Sequence, residues 1–395
     1  MNKTSGCLDL SDNTGRFSLS RTHFNMNKFG HSTDEDFEIV GYVIGGMIEA
    51  SRDLLLARSQ SLKLAGPQPL KFRRYLDITA PNLIKFYEGA DLQIVDRNVL
   101  PYKIIKSLGV GGCASVEMVE DITTGQVFAH KLFRRYHGPN LDGFRQEVQN
   151  EVKIMRRLSP HPHIISLFAT YSCNRDFGMI LTPVADDEDL ATYLQKISDS
   201  GTPPTTKNCT VLVCAFGCLA SGLAFIHKQT IRHKDIKPQN ILIHQGRIIY
   251  TDFGIAFDAT QQDSTTTTGR PNAFTRRYCA PEVASWAKRN RKSDIFSLGC
   301  VFIEILTILE PLLYSEHLKA PAYHEVIEDL RNDLNHKQTT NPHWSGLVRI
   351  CANMLEPDID HRISTEGLLT EMKALAGPEA NSTLKYFCDF CSKGN

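Results

Sequence analysis

The chain has 395 residues, 42% hydrophobic and 22% charged, with 44 lysine plus arginine against 44 aspartate plus glutamate. A sizeable core can be buried, which excludes a chain disordered throughout, and the balanced charge gives no reason to expect nucleic acid or an anionic membrane as main partner. Eleven scattered cysteines, most in apolar runs such as 211–220, read as small buried hydrophobes in a reducing compartment and exclude a disulfide framework.

Residues 1–33 are rich in Ser, Thr, Asn and Gly, lack an apolar signal core, and are expected to be poorly ordered. Apolar spacing predicts a helix over 34–62, weakened by Gly41, Gly45 and Gly46. The longest apolar-looking stretch is Phe37 to Ala50; it is too short to span a bilayer and carries Glu38 and Glu49. Residues 63–95 give no assignable pattern. From Leu100, β-like runs follow at Tyr102–Leu108, Val116–Glu120 and Val127–Phe133, then a helix over Leu141–Leu158, then β-like runs at Ile164–Tyr171 and Gly178–Pro183. Helices are predicted over 189–198, 208–228, 294–309, 321–334 and 344–355. A strand-rich half followed by a helix-rich half predicts two lobes with a cleft between them.

Five motifs fall along this stretch. The first, Gly109-Val110-Gly111-Gly112-Cys113-Ala114-Ser115-Val116, joins two β-like runs. Small residues there let backbone N–H groups approach phosphate oxygens, although alone it reads equally as a glycine-rich hairpin. No Gly-Lys-Ser/Thr follows, which excludes a Walker A loop. The second is Lys131, ending the run Phe128-Ala129-His130-Lys131. An ammonium in a cleft needs a counter-charge, and the helix at 141–158 supplies Glu147 and Glu151. Glu151 lies on the side bounded by Val148, Val152 and Met155 and is the better placed. The third is His233-Lys234-Asp235-Ile236-Lys237-Pro238-Gln239-Asn240. In a tight loop its Asp, Lys and Asn can converge to orient a hydroxyl, neutralise phosphate and ligate Mg²⁺. The fourth, Asp252-Phe253-Gly254, puts a carboxylate at a strand end, seventeen residues after Asp235. The fifth is Thr275-Arg276-Arg277-Tyr278-Cys279-Ala280-Pro281-Glu282, followed by the helix opening Ser293-Asp294-Ile295-Phe296 and a late Arg362, which would form a buried ion pair with Glu282.

In this order and spacing, over about residues 100–372, the motifs resemble the eukaryotic protein kinase family. The flanking RHKDIKPQNIL is similar to a divergent fungal group within it. The resemblance implies an α+β, two-lobed protein kinase fold, with a small β-rich N-lobe at about 96–183 and a larger, mainly α-helical C-lobe at about 186–375. Residues 1–95 would then be an N-terminal extension and 376–395 a C-terminal tail. It implies an ATP-dependent protein Ser/Thr kinase with ATP and Mg²⁺ as cofactors, a protein substrate, no nucleic acid and no membrane span, placed inside the cell in the cytoplasm or nucleus. By similarity Gly109, Val110, Gly111 and Gly112 cover the phosphates, and Val116, Ala129, Thr182, Val184, Ala185 and Leu242 line the adenine side. Lys131 holds the α- and β-phosphates and pairs with Glu151. Asp235 orients the substrate hydroxyl, Lys237 contacts the γ-phosphate, and Asn240 and Asp252 hold the metal.

Three departures stand out: Ala114 for the third glycine, Cys113 for an aromatic at the loop tip, and Lys234 for an arginine that reads an activation-loop phosphate. Lysine lacks the planar fork, so activation is expected to lean less on phosphorylation of the hydroxyl run Ser264 to Thr268. Rival readings are a scaffold with a kinase fold but no turnover, and a small-molecule phosphotransferase. The full set Lys131, Glu151, Asp235, Asn240 and Asp252 argues against the first, and the segment Thr275–Glu282 against the second. The acids Asp186, Asp187, Glu188 and Asp189 hint at basic substrates. Cys388-x-x-Cys391 has no second ligand pair nearby in sequence and is expected to lie in a loose tail; His161-Pro162-His163 is expected to be a structural turn and not metal-binding.

Overall fold

A computed structural model describes residues 7–8, 17–18, 83–111, 114–133, 141–159, 161–174, 176–260, 266–269, 273–337, 339, 342–377 and 384–393. The chain divides into two compact units, Met1–Ile78 and Thr79–Asn395. In the first, the described residues are two short antiparallel strands, β1 (Cys7–Leu8) and β2 (Phe17–Ser18). The helix expected over 34–62 lies outside the described residues.

The second unit opens with a six-stranded sheet. Its strands are β3 (Ala90–Ile94), β4 (Tyr102–Val110), β5 (Ala114–Asp121), β6 (Val127–Phe133), β7 (Ser166–Cys173) and β8 (Asp176–Thr182). The order across the sheet is β3-β7-β8-β6-β5-β4, with β3 parallel to β7 and every other pair antiparallel. Residues 63–95 gave no assignable pattern, yet Phe86, Ala90 and Ile94 are buried against Val119, Phe128 and Tyr171 in one cluster. Five residues with apolar side chains only at alternate positions are too short a run to read as a strand without the neighbour they pair with.

Helix α1 (Leu141–Leu158) packs on the sheet at β7. Its buried residues Val148, Glu151, Val152 and Met155 recur at i, i+3, i+4 and i+7, so a carboxylate is carried on the apolar stripe. Beyond β8 the chain is mainly helical: α2 (Leu190–Asp199), α3 (Thr206–Lys228), α4 (Pro281–Ala284), α5 (Lys292–Leu309), α6 (Ile327–His336), α7 (Pro342–Met354), α8 (Thr365–Ala376) and α9 (Asp389–Ser392). Two short antiparallel pairs join β9 (Ile231–Arg232) to β12 (Phe257–Asp258) and β10 (Ile241–His244) to β11 (Arg247–Tyr250). Side chains cap three of the helices: Asp189 accepts from the Thr192 N–H, Thr205 from Asn208 and Ser364 from Gly367. The helix expected over 321–334 begins only at Ile327, because 316–319 and 323–325 coil as 3₁₀ turns around Pro321.

Helices α3 and α5 are apolar on all sides and form the centre of this lobe, with α7 and α8 packed around them. With 23 residues, α3 is long and apolar enough to cross a bilayer and, rather than Phe37–Ala50, is the longest apolar run. Here it is a core helix, with Val211, Leu212, Phe216, Leu219, Leu223 and Ile226 all buried in the lobe.

The loop after Thr275 is tied to this core by Arg362, which donates to both oxygens of Glu282 at 2.8 and 3.0 Å, with both residues buried. Further Arg362 N–H groups reach the Glu356, Lys292 and Pro357 carbonyls, so the guanidinium is satisfied on every side. Arg362→Ala is expected to lower unfolding free energy by about 3–5 kcal/mol, because Glu282 is left as an uncompensated buried charge. Denaturant unfolding of Arg362→Ala, Glu282→Ala and the double variant checks this; the double variant should cost clearly less than the two single losses together.

Candidate active site

The cleft side of the sheet carries Lys131 near the end of β6. Consecutive register partners run across three strands from Gly109 through Val116 to Lys131, and Lys131 pairs on its other side with Met179. The ladder thus sets the glycine-rich turn two strands from the lysine. Within that turn the Gly111 N–H donates to the Ala114 carbonyl at 2.7 Å, and Gly109, Val110 and Gly111 are exposed. Gly112 and Cys113 lie outside the described residues. Ala114 is buried in the strand, opposite Phe133, so its methyl belongs to the core.

Lys131 Nζ lies 2.7 Å from Glu151 Oε1 and 3.1 Å from Asp252 Oδ1. Glu147, one turn earlier on α1, is exposed. Burial opposes a charged lysine, but the two carboxylates outweigh it and hold the ammonium protonated well above the ordinary lysine range. For Asp252, burial alone would raise the pKa; the Lys131 ammonium overrides it and keeps the carboxyl below its usual value.

Asp235, Lys237, Asn240 and Thr275 converge on one point. Lys237 Nζ donates to Asp235 Oδ2 at 2.7 Å and to Thr275 Oγ1 at 3.0 Å. The Thr275 hydroxyl donates to Asp235 Oδ1 at 2.6 Å, and the Asn240 amide donates to the Asp235 carboxylate and carbonyl, both at 2.9 Å. The Thr251 N–H donates to the Asn240 carbonyl at 3.0 Å, which brings Asn240 beside the strand end carrying Asp252. Of the residues expected to line the adenine, Ala129 is buried, while Val116, Val184 and Leu242 are half-buried against the core. Thr182 ends β8, and Ala185 follows in the half-buried connection to α2.

Sequence reading missed the group that holds this loop. Asp294, buried in the first turn of α5, accepts from the His233 and Lys234 N–H groups, both at 2.9 Å, and lies 2.9 Å from His227 Nε2. Burial works to raise its pKa, and these donors reverse that and hold it below 3.8. The signal was present as a lone acid opening an apolar helix, since a carboxylate in that setting must find partners. His233 extends the network: its Nε2 lies 3.1 Å from the Thr251 carbonyl, its Nδ1 accepts from the Asp235 N–H, and its ring packs on Phe253. Lys234 and Asp252 adopt φ of 68° and 63°, the left-handed region that non-glycine residues seldom enter.

The acids at 186–189 and the hydroxyl run have local partners. Three of the four acids at 186–189 serve local structure: Asp186 accepts from the Gln245 N–H, Glu188 pairs with Lys196, and Asp189 caps α2. Two further arginines, Arg232 and Arg289, meet the activation-segment residue Thr267. Arg232 donates to the Thr267 hydroxyl at 2.8 Å, and Arg289 exchanges two backbone hydrogen bonds with Thr267, both at 2.9 Å. Among the described residues Arg232 Nε and Arg289 Nη1 are buried with no acceptor. Ser264 and Thr265 lie outside the described residues.

A strand-rich and a helical lobe with a Lys–Glu–Asp triad and a convergent Asp–Lys–Asn loop define a protein kinase. The chain matches the protein kinase domain family over residues 102–372, more than half its length, and belongs to that family. It is similar to cyclin-dependent kinase 4 of Mus musculus, 33% identical over 211 residues covering 52% of this chain and 67% of the relative. The corresponding Xenopus laevis protein is also 33% identical, with 62% of it covered. A serine/threonine-protein kinase of Drosophila yakuba is 25% identical over 297 residues, 72% of this chain but 36% of the relative. The chain is an ATP-dependent protein serine/threonine kinase.

Replacing Asp294 by Asn removes an acceptor and leaves one buried donor unpaired, a cost of about 1–3 kcal/mol. Because the folded-state pKa is lowered, the carboxylate's contribution is fully present above 3.8 and is lost as pH falls through the lowered value. Urea unfolding across pH should show the gap between wild type and Asp294→Asn widest at neutral pH and closing on the acid side.

Proposed function

We propose that this kinase transfers the γ-phosphate of ATP to a Ser or Thr hydroxyl of a protein through the Asp235 loop, with Lys131 as the nucleotide anchor. The observation that carries the reading is the double ion pair of Lys131 with Glu151 and Asp252, which keeps a protonated ammonium facing the cleft. The bound nucleotide would lie under Gly109–Gly112, its base against Val116, Ala129, Thr182, Val184, Ala185 and Leu242.

Asp252 and Asn240 suit Mg²⁺. The donor set is hard oxygen, and the Asn240 amide nitrogen is committed to Asp235, which turns its carbonyl oxygen toward other ligands. The metal, when bound, would neutralise charge on the β- and γ-phosphates. Asp235 aligns the substrate hydroxyl and takes its proton at a carboxylate oxygen as the oxygen–phosphorus bond forms and ADP departs. Lys237, bonded to Asp235, places its ammonium on the transferring phosphoryl group. Asp235→Asn keeps shape and loses basicity, so kcat should fall roughly 10²–10⁴-fold while ATP affinity stays within a few-fold. Nucleotide titration and single-turnover transfer on the same protein check this, with Lys131→Met as the variant that should lose nucleotide binding. If wild type binds no ATP and transfers no phosphate, so that Lys131→Met behaves identically, the scaffold reading takes its place.

A second reading concerns regulation. The two partly unsatisfied guanidinium groups beside Thr267 favour this hydroxyl as a phosphorylation site. Phosphopeptide mapping after incubation with ATP should find Thr267 modified, and Thr267→Ala and Arg232→Gln should each lose several-fold of whatever activation that incubation produces. The free cysteines of the described residues suit a reducing compartment, the cytoplasm or nucleus.

A further inference from the structure

The expectation of a loose C-terminal tail fails for residues 384–393. Tyr386, Phe387 and Cys391 are buried in the helical lobe. The segment lies directly on α3 at Gly217, whose N–H lies 3.1 Å from the Tyr386 carbonyl; a Cβ at Gly217 would stand 2.3 Å from that oxygen. One turn earlier Cys214 donates to the Lys385 carbonyl at 3.2 Å. Sequence showed no partner pair for Cys388 and Cys391 because the partners come from residues 163 and 218, far away along the chain.

Docking brings Cys388 and Cys391 against Cys218 of α3 and His163 of the turn before β7. The three Sγ atoms and one histidine nitrogen all lie within 4.8 Å of one another. The histidine is oriented for ligation. Its Nδ1 lies 2.7 Å from the Ile248 carbonyl, to which it donates, so the Nε2 lone pair faces the cluster, 3.3 Å from Cys388 Sγ. The Cys388 N–H donates to Cys218 Sγ at 3.3 Å, an arrangement that stabilises a thiolate. His161 stacks on Phe225, and Phe390 meets His161 edge-on, placing aromatic rings beside the cluster.

We propose that His163, Cys218, Cys388 and Cys391 form a structural zinc site that fastens the C-terminal segment to α3 and to the turn after α1. Four buried or half-buried protein ligands of the Cys₃His type leave no open position for substrate, which marks the site as structural. Zn–S bonds of about 2.3 Å in a tetrahedron put sulfur atoms about 3.8 Å apart, so the ligands need to close by at most about 1 Å. Binding releases three thiol protons to solvent, and Zn²⁺ with three thiolates and a neutral imidazole carries one net negative charge. Buried core cysteines acting as small hydrophobes would account for any one of these residues. They do not account for three sulfurs and an oriented imidazole lone pair meeting at one point from three segments.

The test uses the full chain purified without chelator. Elemental analysis should find about one zinc per chain, and after chelation Co²⁺ should restore binding at about one equivalent with an intense near-ultraviolet thiolate-to-cobalt band. Cys388→Ser/Cys391→Ser should lose at least about nine-tenths of the metal and the thiolate band, and its C-terminal segment should be cut several-fold faster by trypsin. Zinc below about a tenth of an equivalent together with no thiolate–cobalt band in wild type would overturn the proposal. So would a disulfide between Cys388 and Cys391 in protein isolated under reducing conditions. The wild-type cobalt titration decides the matter even if the variant does not fold.

Discussion

A single buried carboxylate organises the reaction loop. Asp294 is buried near the start of a mainly apolar helix, where an unpaired charge would cost several kcal/mol. Its partners are two consecutive backbone N–H groups, those of His233 and Lys234, and the imidazole of His227 at the end of α3. Two adjacent N–H groups can point at one carboxylate only when the chain turns sharply, and Lys234 accordingly adopts a left-handed conformation. The loop that results presents Asp235 to Lys237, Asn240 and Thr275, and turns the His233 ring onto Phe253. Burial of Asp294 therefore reaches, through hydrogen bonds and one packed ring, both the Asp235 loop and the Asp252-Phe253-Gly254 motif.

Much of this was legible. Motif order identified the family and the two-lobed architecture, and apolar periodicity located the strand Val127–Phe133 and the helix Leu141–Leu158 to the residue. The choice of Glu151 over Glu147 followed from the apolar residues beside it, and the ion pair to Lys131 has the same cause: the stripe that buries Val148 and Val152 points the carboxylate inward. What stayed hidden was whatever depends on residues distant in sequence. The strand Ala90–Ile94 takes shape only against β7. The cationic surroundings of Thr267 come from Arg232 and Arg289, on either side of the activation segment. Cys388 and Cys391 looked unpartnered because their neighbours lie on α3 and before β7.

The C-terminal segment also explains a feature of α3 that composition leaves unexplained. Gly217 sits mid-helix, where glycine costs about 1 kcal/mol relative to alanine. The Tyr386 carbonyl occupies the space a methyl would need, and the Phe387 ring lies 2.7 Å from the same point. Helix propensity at this position has yielded to close approach of a second backbone. The core of the helical lobe is thus completed by residues beyond the family match, which ends at 372.

The left-handed backbone at Asp252 bears on how a silent form of this enzyme should be engineered. Side chains differ sharply in their tolerance of positive φ: asparagine, like aspartate, enters this region several-fold more often than other non-glycine residues, while β-branched residues are strongly disfavoured. An isoleucine or valine at 252 would disturb the strand end and the Lys131 contact as well as removing the carboxylate, and its loss of function would be ambiguous. Asparagine removes the charge and leaves the backbone undisturbed. With Asp252 holding the metal as proposed, an inert copy intended to compete for the enzyme's partners, or to trap them, is best built at that position and with that residue.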